Sequence, residues 1–462
     1  MHSFRLPPRC SLAHLCCVPT LVALAASVFA GGAEIRSSDS ALKTRVAAYV
    51  DQHYPEWFGI YTNLHAHPEL SMMEVKTAAL VSSELRKLGF NVTEHIGNTG
   101  VVGVLTNGVG PTVLIRADMD GLPIKETSGV SYASGDVVKD LSGAEKPAMH
   151  ACAHDTHVTG LIATARLLVS LKDQWSGTLV AAAQPAEEIV AGARAMLADG
   201  LYTRFPKPDY ALALHTGARL PAGTIGYREG SLMASVNSVD VVVRGVGGHG
   251  SAPETTKDPV VVASQIVLAL QTIVSRELKP GTPAVVTVGA IHGGTKRNII
   301  PDEVRLELTL RAFDERVMEQ LVKAVRRISD GIARASGLPE DRLPVVTSLP
   351  ESVGVMRNDP ALTRRMVEAF RGWFGSDRVR EQEPIMGGED FAEFGRQGVP
   401  ISLWWVGGTD PAKFEQSLRT GIPVPSNHSA TFAPIPEPTL KTCVTSMTAA
   451  VLEIMPPPRA TR

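Results

Sequence analysis

Three short, almost wholly apolar runs, at residues 112–117, 177–183 and 210–214, constrain this chain more than any other feature. Runs of this length suit strands buried on both faces, and such strands belong to sheets covered by helices. Each run stops at residues able to bind a cation or move a proton. The first leads into Asp118 and Asp120, the second into Glu187 and Glu188, and the third into His215. Open α/β sheets place their sites beyond the C-terminal ends of their strands, so the three ends are read together as one site. Each has a plainer explanation when taken singly. The aspartates suit a solvated turn, the glutamates suit the N-terminus of a helix at 192–198, and a lone histidine is commonly structural.

Between the first two runs lies Met149-His150-Ala151-Cys152-Ala153-His154-Asp155-Thr156-His157. Read as extended chain, Cys152 and His154 point the same way and meet one ion. Thiolate and imidazole suit Zn²⁺ or Ni²⁺ better than Mg²⁺. A polar turn packed under a helix is the plainer alternative. His428, in the segment 425–429 beyond another apolar run at 401–406, completes a set of Cys152, His154, Glu188, His215 and His428. Neighbouring side chains of an extended segment diverge, so one of Glu187 and Glu188 is expected to bind metal while the other faces the polarised water.

The 462 residues exceed what one core usually serves, and a near balance of 45 basic and 47 acidic side chains argues against nucleic acid or an anionic membrane as partner. Arg5, Arg9, the apolar stretch 19–30 and small residues at Val28 and Ala30 predict an export signal over 1–30, hence a periplasmic or secreted protein. An uncleaved anchor is the alternative. Cleavage leaves only Cys152 and Cys443, which either pair as a disulfide or leave Cys152 free for metal, with Cys443 in a helix at 438–455. Helices are expected at 37–61, 74–88, 158–171 and 360–374, with a turn at 65–70 imposed by Pro68. From 235 to 349 the order becomes strand 238–244, helix 258–277, strands 284–291 and 303–312, helix 316–335 and strand 343–347. That β-α-β-β-α-β order predicts a ferredoxin-like sandwich inserted in an α/β domain made of 37–234 and 350–456.

The motifs HAHPEL (65–70), RADMDGLP (116–123), the segment 149–157, QPAEE (184–188), GHGSAP (248–253), NIIP (298–301) and GEDF (388–391) run in order through the chain. With them the sequence resembles the M20 metallopeptidases and amidohydrolases, nearest to the branch that cleaves hippurate, N-acyl amino acids and auxin conjugates. The resemblance implies a zinc-peptidase-like α/β catalytic domain with an inserted ferredoxin-like lid that pairs two copies. It implies one or two divalent ions (Zn, Mn, Ni or Co) on Cys152, His154, Glu188, His215 and His428. Glu187 becomes the general base, His249 and Asn298 on the lid contact substrate, Arg311 meets its carboxylate, and Asp118 and Asp120 support the metals. The implied substrate is a small N-acyl amino acid or peptide.

Two departures stand out. Ala153 and Thr156 occupy positions where the family usually has glycine, which removes easy access to positive φ. Glu254 stands where relatives often have histidine. The rival readings are a dipeptidase or carboxypeptidase of the same family, a non-catalytic binding protein, and an enzyme using Cys152 as nucleophile.

Overall fold

The computed structural model describes residues 40–458, so the expected signal segment 1–30 lies outside the described residues. A central sheet has eight strands in the order Asn91–Ile96, Gly100–Asn107, Gly177–Gln184, Thr112–Asp118, Tyr210–Pro221, Ile401–Thr409, Ile225–Tyr227 and Val379–Glu381. The apolar runs form its centre. Thr112–Asp118 lies parallel to both Gly177–Gln184 and Tyr210–Pro221, which is in turn parallel to Ile401–Thr409. Their continuous apolar character is explained by cover on both faces. Helices Ser40–Ala66, His154–Ser170, Pro360–Phe374 and Pro436–Ile454 share one core with side chains such as Val113, Ile115, Leu179 and Leu212. Leu114, Val180 and Ala211 point the other way, into a core shared with the short helices Gly192–Ala198 and Ala392–Arg396. This alternation along each strand is the two-residue period of extended chain.

Three local expectations need correction. The first helix continues to Ala66 and takes in His65, stopping only where Pro68 disfavours helix at the preceding residue. The third strand does not end at His215: it continues to Pro221 because Ile401–Thr409 pairs along it, with Trp405 opposite His215. The segment around Cys152 is not extended, since helix His154–Ser170 begins inside it.

Residues 235–353 build a second, four-stranded antiparallel sheet ordered Ala284–Gly293, Glu303–Ala312, Ser235–Arg244, Val345–Val353. In Glu303–Ala312 the predicted alternation is met, with Val304, Leu306, Leu308 and Leu310 buried. They pack with Val239, Ile266, Leu321 and Val325 in a core separate from the other two. Helices Pro259–Thr272 and Glu315–Ala335 cover this sheet. Each starts at an aspartate, Asp258 or Asp314, whose carboxylate accepts from a backbone N–H of the first turn. The last strand, expected at 343–347, runs instead over Val345–Val353.

Candidate metal centre

Cys152 and His154 are brought together by a turn rather than a strand. Ala153 adopts a left-handed conformation at φ 63°, and His154 is the first residue of the helix that follows. A side chain in that conformation costs roughly 1–2 kcal/mol, which glycine would avoid. Thr156, in the other departing position, has a helical place and buries its hydroxyl 2.7 Å from the Ala153 carbonyl and 2.6 Å from the Thr216 hydroxyl. It ties the turn to the strand that carries His215. His428 is also left-handed, at φ 67°, and its N–H donates to the Ala151 carbonyl at 2.8 Å. The loop of His428 is thereby fastened to the Cys152 turn.

The expected ligands converge. Cys152 Sγ lies 3.5 Å from His215 Nε2, and His428 Nε2 lies 3.3 Å from Glu188 Oε2. His154 Nε2 sits 3.8 Å from Glu187 Oε2 and 3.9 Å from Glu188 Oε1. Cys152, His154 and His215 form one candidate group for an ion, and Cys152, Glu188 and His428 form another. Two ligands bound at 2.0–2.3 Å in a tetrahedron stand roughly 3.3–3.8 Å apart, close to these separations.

Burial and hydrogen bonding orient these groups. His154 Nδ1 lies 2.8 Å from the Asp120 carbonyl, which only accepts, so Nδ1 carries a proton. Burial alone would lower the ring's pKa, but Asp118 and Asp120 outweigh it and raise it well above the usual range, so a bound cation is what would free the Nε2 lone pair. That Nε2 is buried without a hydrogen-bond partner, as is Glu188 Oε1. Buried polar atoms left without partners in one space are costly, and a bound cation would meet both. His215 likewise donates from Nδ1 to the Thr216 carbonyl at 3.0 Å, and burial, with His157 nearby, holds its pKa well below the usual range. It is therefore a neutral donor. Burial and then Glu188 push the Cys152 thiol up, so a bound cation is what would make it thiolate. Cys152 and Cys443 are both buried and unpaired, so the disulfide alternative is not formed.

His157 does not join the ligands. Its Nε2 accepts from the Thr216 N–H at 2.7 Å and its Nδ1 faces Asp118, leaving no free lone pair. Asp118 lies beside His154, one oxygen 3.7 Å from Nε2. Asp120 is a bracket: its two oxygens accept from the backbone N–H groups of Glu187 at 3.1 Å and Glu188 at 3.0 Å.

Sequence reasoning missed the group beneath this layer. Arg116 is fully buried and meets Asp118 at 2.8 Å, Glu389 at 2.9 Å, Asp390 at 3.1 Å and Gln184 at 2.9 Å. Asp390 also accepts from Gln184 and from the Ala193 N–H. The signal was present, because an arginine inside an apolar strand requires anionic partners. His65 was likewise quoted without a role. It is buried between Asp155 at 2.6 Å and Glu126 at 2.9 Å.

Cys152, Glu187, Glu188, His215 and His428 line a cavity of about 960 Å³. Leu220, Met233, Ile385 and Trp405 supply apolar wall, and Arg311 reaches the same cavity from the four-stranded sheet, its guanidinium also donating to the Met386 carbonyl at 2.6 Å. His249 and Asn298 do not line it. His249 is exposed on a short ladder with Ile299, and its Nδ1 accepts from Ser251.

Residues 114–417 match the model of Peptidase family M20/M25/M40. The chain belongs to that family. As a member it is a metal-dependent hydrolase of amide bonds. It is 37% identical to thermostable carboxypeptidase 2 of Saccharolobus solfataricus, covering 81% of this chain and 89% of that one. It is 38% identical to the hippurate hydrolase of Campylobacter jejuni over 73% of this chain and 85% of the relative. Among solved structures, a Bacillus subtilis protein described as a dinuclear metal binding peptidase of the M20 family matches with a TM-score of 0.70 at 28% identity, over 88% of this chain and 99% of that chain.

Proposed function

We propose that this member of the family hydrolyses N-acyl amino acids of the hippurate type. The observation that carries the reading is one cavity in which Cys152, Glu188, His215 and His428, the further carboxylate of Glu187, an apolar wall and Arg311 meet. Cys152, His154, Glu188, His215 and His428 would hold one or two divalent ions. When bound, such an ion polarises water and offsets negative charge on the substrate carbonyl oxygen.

Glu187 takes the proton from the attacking water and returns it to the leaving nitrogen. Burial, then the nearby Glu389 and Glu188, hold its carboxyl well above the usual range, so a bound cation beside it is what would leave it ionised to take that proton. Arg311 attracts the substrate carboxylate, and the apolar wall accepts the acyl group. His249 and Asn298 complete the site when the four-stranded sheet, the proposed lid over 235–349, swings toward it.

The test is release of amino acid from N-benzoyl and N-acetyl amino acids, set beside dipeptides, with and without chelator. Chelator-sensitive cleavage of the acylated compounds is expected. A strong preference for dipeptides would move the assignment to the peptidase reading, which the carboxypeptidase relative favours. No cleavage by the metal-loaded protein would sink both. Export is proposed on the N-terminal sequence alone. Pairing of two copies is proposed with support from the exposed Val260, Val261 and Leu268 on helix Pro259–Thr272.

A further inference from the structure

Glu187 and Glu188 lie in a turn that the backbone does not favour. Ala186 is left-handed at φ 50° and Val190 at φ 49°, both without glycine's freedom. The turn is also tight, since a Cβ on Gly192 would sit 1.5 Å from the Pro185 carbonyl oxygen. Something must hold it. The Ala186 carbonyl accepts from the N–H groups of Ala191 and Gly192, each at 3.1 Å. The three consecutive N–H groups of Ala186, Glu187 and Glu188 meet carboxylates. Glu187 and Glu188 donate to Asp120, and Ala186 donates to Glu74 Oε1 at 2.8 Å. The same Glu74 oxygen accepts from the Met72 N–H at 2.9 Å, and its second oxygen meets the Thr99 hydroxyl. Ser71, three residues before Glu74, donates to Asp120 at 2.6 Å. One short segment, 71–74, therefore grips both carboxylates that hold the turn.

We propose that Glu74 is a positioning residue for Glu187: by accepting the Ala186 N–H it fixes the left-handed turn that aims the Glu187 carboxylate into the cavity. This rests on the reading of Glu187 as general base. Glu74 lies outside the cavity lining, so its action passes through the backbone. A small misplacement of a catalytic group costs rate well before it costs fold. The grip needs an acceptor, not a charge. Burial, and then Asp120, push the Glu74 carboxyl up to about 7, and its neutral form still presents Oε1 to both N–H groups.

Glu74→Gln keeps that acceptor, while Glu74→Met keeps only the bulk. In metal-loaded full-length protein, Glu74→Met is expected to lower kcat at least tenfold, with KM changed less than about threefold and metal content unchanged. Glu74→Gln is expected to stay within about threefold of wild type in kcat, a rescue that a general loss of packing would not give. If Glu74→Met fails to fold, Thr99→Val tests the same grip, because it frees the second carboxyl oxygen; a several-fold lower kcat is expected. Wild-type kcat in folded Glu74→Met, or in Thr99→Val where Met does not fold, would overturn the role. Gln behaving as Met would overturn it too. Glu187→Ala, measured in parallel, separates the two readings. Turnover in Glu187→Ala removes the base and this role together, whereas inactive Glu187→Ala beside active Glu74→Met removes this role alone.

Discussion

The strand ends of the eight-stranded sheet that carry the candidate ligands and the exposed two-stranded ladder of His249 and Ile299 hold their polar groups in opposite ways. At the first, Asp118, Asp120, His154, Glu389 and Asp390 are almost completely buried, and Arg116 is surrounded by acids. At the second, the His249 ring stands in solvent and, among the described residues, hydrogen-bonds only with Ser251, two residues away. Burial fixes side chains because each unmet polar atom is costly, while an exposed histidine is free to turn. The first region is built in advance. The second acquires a role only when something is brought to it.

The contrast is sharpest where a buried group is the one removed. Glu187→Ala is expected to lower kcat by about 10²–10⁴-fold with bound metal unchanged, measured by steady-state kinetics and metal analysis. Loss of metal together with activity would make Glu187 a ligand instead. Arg116→Met leaves Asp118, Glu389 and Asp390 uncompensated, and denaturant unfolding should show a loss of about 3–5 kcal/mol. His249→Ala inverts the pattern: kcat/KM on an acylated substrate falls about tenfold or more, roughly 1.4 kcal/mol or above in the barrier, while the unfolding midpoint holds. An equal loss of stability would erase the distinction between the two regions.

Buried charge also carries a pH signature. Burial alone would lower the His65 pKa, but the hydrogen bonds its ring donates to Asp155 and Glu126 outweigh it and raise it to about 10. The protonated ring is the form that folding favours. Its stabilisation is complete below about pH 6.5, the unfolded-chain value, and is lost as pH rises through about 10. Stability should decline over that window by up to about 1.4 kcal/mol per pH unit, and less steeply in His65→Gln. The smallest effect belongs to the exposed pair Lys323–Glu319, 2.5 Å apart on the helix over the second sheet. Lys323→Ala should move the unfolding free energy by less than about 0.5 kcal/mol.

Much of this was legible because strands and amphipathic helices write their period into the chain. Glu303–Ala312 and Pro360–Phe374 fall where the alternation and helical spacing put them. That these groups would gather was legible for another reason: thiol, imidazole and carboxylate at successive strand ends face one space, where Cys152, Glu188, His215 and His428 meet. What failed was geometry at turns. Cys152 and His154 were paired as neighbours on extended chain, yet they meet across the left-handed Ala153. Glu74 read only as the start of a helix, because the N–H it accepts belongs to a residue 112 positions away.

The sequence alone determined which side chains are available and, through apolar periodicity, which strands are buried. It also determined the chemistry of the centre, since ligand identity is a property of each residue. The tertiary structure decided which of those groups keep an atom without a hydrogen-bond partner. His154 and His157 are three residues apart on one helix, and nothing local separates them. Only the partners supplied by the fold, the Asp120 carbonyl for one and the Thr216 N–H and Asp118 for the other, leave the first with its Nε2 unengaged and occupy both nitrogens of the second.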